Sequence, residues 1–304
     1  MAEKIYYGGQ AVMEGVMMRG QKAMVTAVRR PDGGLVTQSK TLSAIYTGRL
    51  RRTPFLRGII VLVEALVLGI NALFYSASIS LEDEEEEEEV SGWLLWVIMA
   101  AALALAVGLF FIAPLFITRL FNFSSSLLFN LVDGLIRVVI FMVYLKVMTL
   151  LPDIKRVFAY HGAEHKAIHA YEAGVPLEVE AIRKYSTAHL RCGTSFLFVV
   201  LVISIIVFAL SGLHTALLMV LSRLILIPVI AAIGYEVIYF GARHTSNGLV
   251  RALMSPGLWL QSMTTREPDD SQLEVALTAL KGVIEIDSEA ETPPPLPDSP
   301  PSAP

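Results

Sequence analysis

Cysteine is all but missing: Cys192 stands alone among 304 residues. One thiol excludes an intramolecular disulfide framework and any zinc or iron–sulfur site built from several cysteines of one chain. A metal site would therefore have to draw on histidine, aspartate and glutamate. Charge is scarce as well. Only 17% of the residues are charged, against 54% apolar, and the mean hydropathy of +0.59 lies outside the ordinary soluble range. The composition predicts an integral membrane protein. The formal net charge of −4 comes mostly from one acidic run, "EDEEEEEE" at residues 82–89, so no basic surface points to nucleic acid and none is expected as a partner. The first residues, "MAEKIYYGGQ", lack the charged start and apolar core of a secretory signal, and the mature chain is expected to keep them.

Long apolar runs are what the sequence has instead. Residues 1–55 read as a small β-hairpin segment at the cytoplasmic surface, with "AMVTAVRR" and "GGLVTQSKTL" flanking the turn "PDGG". Arg49, Arg51, Arg52 and Arg57 lead into the first run and place that end in the cytoplasm by the positive-inside tendency. Residues 56–118 are expected to form a first transmembrane hairpin around the acidic loop 82–89. Within 119–193, the run from Ser124 to Leu151 has the length of a span but carries Asp133, Arg137 and Lys146, and an isolated charge at mid-bilayer costs at least ~2.5 kcal/mol. A full crossing would also carry the basic segment that follows it to the outer side. A re-entrant or interfacial helix is expected there, with Asp133 and Arg137 paired at i and i+4.

Residues 194–241 read as a second transmembrane hairpin that hinges at Gly212 to His214. Arg223, Pro228 and Glu236 predict a kinked second helix facing protein. Residues 242–287 form a cytoplasmic segment with an amphipathic helix, and 288–304 a disordered proline-rich tail. The expected fold is mainly α and polytopic: two transmembrane helical hairpins, a re-entrant or interfacial helix and the N-terminal β-hairpin segment.

Against this background "YHGAEHKAIHAYE", residues 160–172, stands out. On a helix His161, His165, His169 and Glu172 fall within an arc of roughly 80°, with Glu164 at its edge. The order His-x-x-Glu-His is the inverted zinc-protease pattern. Two imidazoles one turn apart bind a divalent ion, the glutamate serves as general base, and a third ligand arrives from elsewhere. Four ionisable groups crowded on one stripe would repel or desolvate one another without a cation or partner to organise them. Glu14, in "GGQAVMEGVMMRG" with Arg19 nearby, is a candidate third ligand or the partner of a buried arginine. Cys192 and Arg191 open a span in "LRCGTSF", where a thiol is ordinarily a small buried apolar group. Glu267, Asp269 and Asp270, in "TTREPDD", are candidate ligands or caps of the helix that follows.

Together "GGQAVMEGVMMRG", "YHGAEHKAIHAYE", "LRCGTSF" and "PGLWLQSMTTREPDDSQLEVAL" resemble the YqhQ-like family of bacterial multi-pass membrane proteins, over nearly the whole chain except the acidic loop and the tail. The resemblance implies a metal-dependent enzyme of unknown reaction. The residues matching its motifs are Glu14, Arg19, His161, Glu164, His165, Lys166, Glu172, Arg191, Cys192, Glu267, Asp269 and Asp270.

The function expected is a membrane metallohydrolase in the bacterial cytoplasmic membrane, acting on a lipid-linked molecule or membrane peptide. His161, His165, Glu14 and Glu172 would hold zinc, Glu164 would activate water, and Lys166 or Arg191 would stabilise an oxyanion. The His-x-x-x-His spacing of His161, His165 and His169 also fits a di-iron oxygenase, for which six histidines are few. A non-catalytic transporter or scaffold is the third class, with Asp133, Arg137, Arg223 and Glu236 pairing across helices.

Overall fold

The computed structural model describes residues 7–48, 51, 53–80, 92–189, 191–211, 216–244 and 246–289. The acidic loop, Arg49, Arg52, the Gly212 to His214 hinge and the proline-rich stretch from residue 290 lie outside the described residues. Strands β1 (Gly8–Val12), β2 (Gly15–Arg19), β3 (Ala23–Arg29) and β4 (Leu35–Thr41) form one antiparallel meander in chain order. The expected hairpin is β3–β4, closed by a turn in which Gly33 takes φ +88°. The sheet is twice as wide as expected because "GGQAVMEGVMMRG" adds β1 and β2 around a two-residue turn at Met13 and Glu14.

The alternation of a pleated strand sorts the apolar residues of β2 and β3 onto two faces. Val16, Met18, Val25 and Ala27 enter one core, and Met17 and Met24 the other. The first core is closed by helices α6 (Pro152–Ala173) and α12 (Asp270–Glu289), through Tyr160, Ala163, Ala167, Leu273, Ala276 and Leu280. The second is closed by α2 (Leu56–Ser80), which lays Leu68 and Ala72 on Val12, Met17 and Met24. Gly69 of α2 lies so close to Gln10 that a Cβ there would be 2.4 Å from its Oε1. The buried Glu64 accepts from the Arg19 Nε at 3.0 Å and also pairs with Arg51. The result is three layers: α2, the sheet, and the α6–α12 pair.

The short α1 (Ala44–Thr47) links sheet to α2. Beyond the acidic loop, α3 (Gly92–Val107) runs through a π-type turn (Gly108–Ile112) into α4 (Ala113–Arg119), and α5 (Ser126–Met148) follows after a short connection. The single turn α7 (Val179–Ile182) precedes α8 (Gly193–Ser211), α9 (Ala216–Ile225), α10 (Ile227–Arg243) and α11 (Gly248–Thr264). The expected kink is present: the helix breaks at Leu226, with Pro228 in the first turn of α10. Among the described residues, five helices are long and apolar enough to cross a membrane by length and composition.

The segment expected to be re-entrant, α5, is one unbroken helix of 23 residues. Its buried face meets α8, with Gly134 against Ile205. Asp133 and Arg137 pair as their spacing predicts, Nη2 to Oδ2 at 2.9 Å, and the same oxygen accepts from Arg223 at 2.8 Å. The partner of Arg223 is thus Asp133, while Glu236 accepts from Arg57 Nε at 2.8 Å.

Candidate metal centre

Helix α6 starts with Pro152 in its first turn and ends at Gly174, whose φ of +69° closes it in the left-handed region. Its middle is buried on every side, which is why it carries Ala159, Gly162, Ala163 and Ala167 between its polar residues. The segment after α11 crosses it directly. Arg266 donates its backbone N–H to Phe158 O at 2.9 Å, and a Cβ at residue 162 would lie 2.1 Å from the Arg266 carbonyl oxygen. Only glycine permits that approach.

The crossing brings the Thr264 carbonyl to 2.8 Å from His161 Nδ1, and from the other side the Thr187 carbonyl stands 2.5 Å from His165 Nδ1. A carbonyl only accepts, so each ring donates from Nδ1. In its neutral form each therefore presents an unprotonated Nε2. His161 Nε2 lies 3.2 Å from Cys192 Sγ, and the ligand atoms of His161, His165 and Cys192 all lie within 4.8 Å of one another. His165 and Cys192 are buried and His161 half-buried. Three soft or borderline donors, with each imidazole oriented by a backbone carbonyl, form a group whose donor types would suit a zinc ion.

The charges in the metal-free protein follow from this convergence. Burial alone would depress His161, but the hydrogen bond and charge of Cys192, with Glu164 and the Thr264 carbonyl, raise it to about 9. Burial alone would raise the Cys192 thiol, yet hydrogen bonds to His161 and then His165 bring it down to about 4. The pair is an imidazolium and a thiolate. Glu164 is buried, and desolvation pushes its carboxyl above the usual range against the opposing pull of His165 and His161.

The polar stripe expected on α6 continues beyond these residues. Ring centroids run from His161 to His165 at 4.4 Å, to His189 at 5.6 Å and on to His169 at 4.7 Å. His169, Glu172 and His189 form a second group of potential ligands. Their hydrogen bonds argue differently. His189 Nδ1 accepts from Arg191 N–H at 3.3 Å, which leaves the proton on Nε2, 3.6 Å from Glu172. Burial, then the neighbouring His165, lowers His189 to about 4.

The other candidates are engaged elsewhere. Glu14 is held by Arg156, Nε to Oε1 at 2.6 Å, and by Tyr160; among the described residues it belongs to neither ligand group. Arg19 pairs with Glu64, and Arg191 with Glu172. The Lys166 ammonium donates to Arg183 O and meets Glu267, each at 2.5 Å. Asp270 pairs with Arg183 at 2.6 Å. Asp269 caps α12, accepting from Gln272 N at 2.9 Å and from the Ser271 hydroxyl at 2.7 Å. His189, three residues before Cys192 in "HLRCGTSF", is the site residue that motif reading passes over. A histidine so close to a cysteine at the mouth of a span was its available signal.

The family described as a protein of unknown function, DUF1385, matches residues 53–286. Over 303 residues the chain is 34% identical to the uncharacterized protein YqhQ of Bacillus subtilis (strain 168), covering 94% of each chain. No solved structure matches significantly.

Proposed function

Because the chain belongs to the DUF1385 family, whose function is unknown, we propose from its own geometry that it is a metal-dependent membrane hydrolase. His161, His165 and Cys192 would hold the divalent ion, zinc by donor type, at the cytoplasmic face of the cytoplasmic membrane. The observation that carries this is the shared orientation of two imidazoles: both Nδ1 atoms are committed to carbonyls, and both rings face one thiolate. An ion in such a set supplies Lewis acidity and acidifies water. Glu164, dry and held toward its neutral form, would take and return the proton of a hydrolytic step. Glu14 and Glu172, expected as ligands, instead pair with Arg156 and Arg191.

The side of the membrane follows from parity. The sheet, α6 and α12 share one core, so they lie on one side, and the chain must cross an even number of times between them. Three of the candidate spans fall between β4 and α6 and two between α6 and α12. One of the first three therefore does not cross. That helix is α2: its Glu64, Leu68, Gly69 and Ala72 stripe lies on the sheet, while Val63, Leu66, Val67 and Leu73 face outward. It rests along the membrane surface, and α5 crosses. The paired crossings are then α3–α4 with α5, and α8 with α9–α10. Lys155, Arg156, Arg183, Lys184, Arg243 and Arg251 all fall on the side of the site, whereas the far end of α4 and residues 120–125 carry only Arg119, an imbalance that supports a cytoplasmic site.

Elemental analysis of the purified protein tests the centre. One zinc or similar ion per chain is expected, retained by Glu164→Gln and lost from His161→Ala, His165→Ala and Cys192→Ser. Equal metal content in all of these variants would end the proposal. A second reading rests on the same imidazolium–thiolate pair, which without an ion is a thiol nucleophile. Rapid iodoacetamide labelling of Cys192 in the protein as purified, with no protection by zinc, would favour it.

A further inference from the structure

Two clefts open on the cytoplasmic half of the molecule, and they differ in charge. The larger, about 670 Å³, is lined by Arg19, Lys22 and Arg51, but both arginines share Glu64 and the wall includes backbone held by Asp287. Its cations are largely answered. The smaller, about 280 Å³, is lined by Lys146, Thr149, Ser262, Met263, Thr265 and Arg266, with no carboxylate. Among the described residues neither Lys146 nor Arg266 has an ionic partner; Arg266 Nη2 reaches only the Thr149 carbonyl, at 3.4 Å.

The three hydroxyls in this cleft are already committed as donors. Thr149 donates to Lys146 O, Ser262 to Trp259 O and Thr265 to Gln261 O. Toward a ligand they offer lone pairs alone. The cleft therefore presents cations for an anion and acceptors for hydroxyl groups, the complement of a phosphate ester that carries a polyol. Its position adds a third requirement. Lys146 ends α5 where the proposed span leaves the membrane, and the outward side chains beside it are apolar: Leu150 is 63% and Trp259 61% exposed. A headgroup seated here would leave its acyl chains against those side chains.

We propose that this cleft binds the phosphodiester headgroup of an anionic, polyol-bearing membrane lipid, the phosphate lying between Lys146 and Arg266. Residue 266 also belongs to the crossing segment whose Thr264 carbonyl orients His161. The lipid is thus held against the wall of the candidate centre. Binding itself stands independently of the metal; that the bound lipid is presented to the His161 centre rests on the reading above.

The test is equilibrium binding of a fluorescent phosphatidylglycerol to the full-length protein in detergent, against phosphatidylcholine as comparator. Phosphatidylglycerol is expected to bind more tightly. Lys146→Gln and Arg266→Gln should each weaken it about fivefold and the double variant about 25-fold, as for loss of one or two juxtamembrane cations. Lys155→Gln, an exposed cation outside the cleft, should not change it. A thermal unfolding midpoint equal to wild type shows that the double variant is folded. Equal affinity for the two lipids, or an unchanged double variant, would overturn the proposal. Displacement by glycerol 3-phosphate at concentrations similar to the lipid would overturn the membrane source in favour of a soluble ester. His161→Ala/His165→Ala protein is expected to bind the lipid as wild type does, so failure of the metal centre and failure of the lipid site read out separately.

Discussion

At the scale of single residues, the His161–Cys192 pair sets how protons compete with a metal. Ligands must be deprotonated to bind. With His161 raised to about 9 and Cys192 lowered to about 4, the pair holds one proton between those limits, on the imidazole. Ion uptake from the pair should therefore release about one proton in that window, so affinity strengthens about tenfold per pH unit and levels off above about 9. Calorimetric titration in buffers of different ionisation heat measures that proton count; a count near zero at neutral pH would contradict the pairing. Glu164→Gln should leave metal content intact and lower turnover about 10²- to 10⁴-fold once a substrate is in hand. The sequence showed the first half of this site, since His161 and His165 lie one turn apart and that spacing is visible in any helix. Cys192 and His189 come from a loop, and the Thr264 and Thr187 carbonyls have no side-chain signature. Those carbonyls could be located only in three dimensions.

At the scale of elements, the crossing of the Thr264 to Glu267 segment over α6 is the contact that most directly forms the site. Gly162→Ala would drive a methyl into the Arg266 carbonyl. A destabilisation of about 1–3 kcal/mol is expected, as for overpacked interiors, together with loss of bound metal, read by thermal unfolding and elemental analysis. The cap of α12 is separable from this. Burial alone would raise Asp269, but the Ser271 hydroxyl and the backbone N–H groups of Gln272 and Ser271 hold it below the usual carboxylate range. A depressed carboxyl stabilises above its unfolded value and loses that contribution as pH falls through the folded one. Asp269→Ala should cost about 1 kcal/mol at neutral pH, and denaturation of Asp269→Asn should depend less on acid than wild type. In the membrane layer, Asp133→Asn would leave Arg137 and Arg223 without a carboxylate, and a loss of about 3–5 kcal/mol is expected. That cluster ties α5, α8 and α9 together, which accounts for these charges without a transport pathway. Strands β3 and β4 were legible from their β-prone residues and the turn "PDGG" between them. Met17 and Met18 of β2 face two different cores, so the alternation that marks a strand is erased there.

At the scale of the whole molecule, the even number of crossings is open to direct measurement. In a Cys192→Ser background, single cysteines at Ser78 and Ser124 should react with membrane-impermeant maleimide from opposite sides of sealed vesicles, Ser78 with the face that carries α6. Reaction of Ser78 from the face opposite α6 would return α2 to a crossing role. The apolar lengths of the runs were readable from composition, but the contact of α2 with the sheet was not. Hydropathy weighs a residue's transfer to lipid and carries no record of a sheet waiting to cover it.

The interleaving of the sheet, α6 and α12 has a consequence for biosynthesis. The sheet is made before any crossing, α6 between the two pairs and α12 after the last, yet all three share one interior. A nascent chain still engaged at the translocon exposes an unfinished hydrophobic surface until its final helix leaves the ribosome. Premature termination before Asp270 would leave His161, His165 and Cys192 all translated and none of them in place, so a chain inserted incompletely would be born inert.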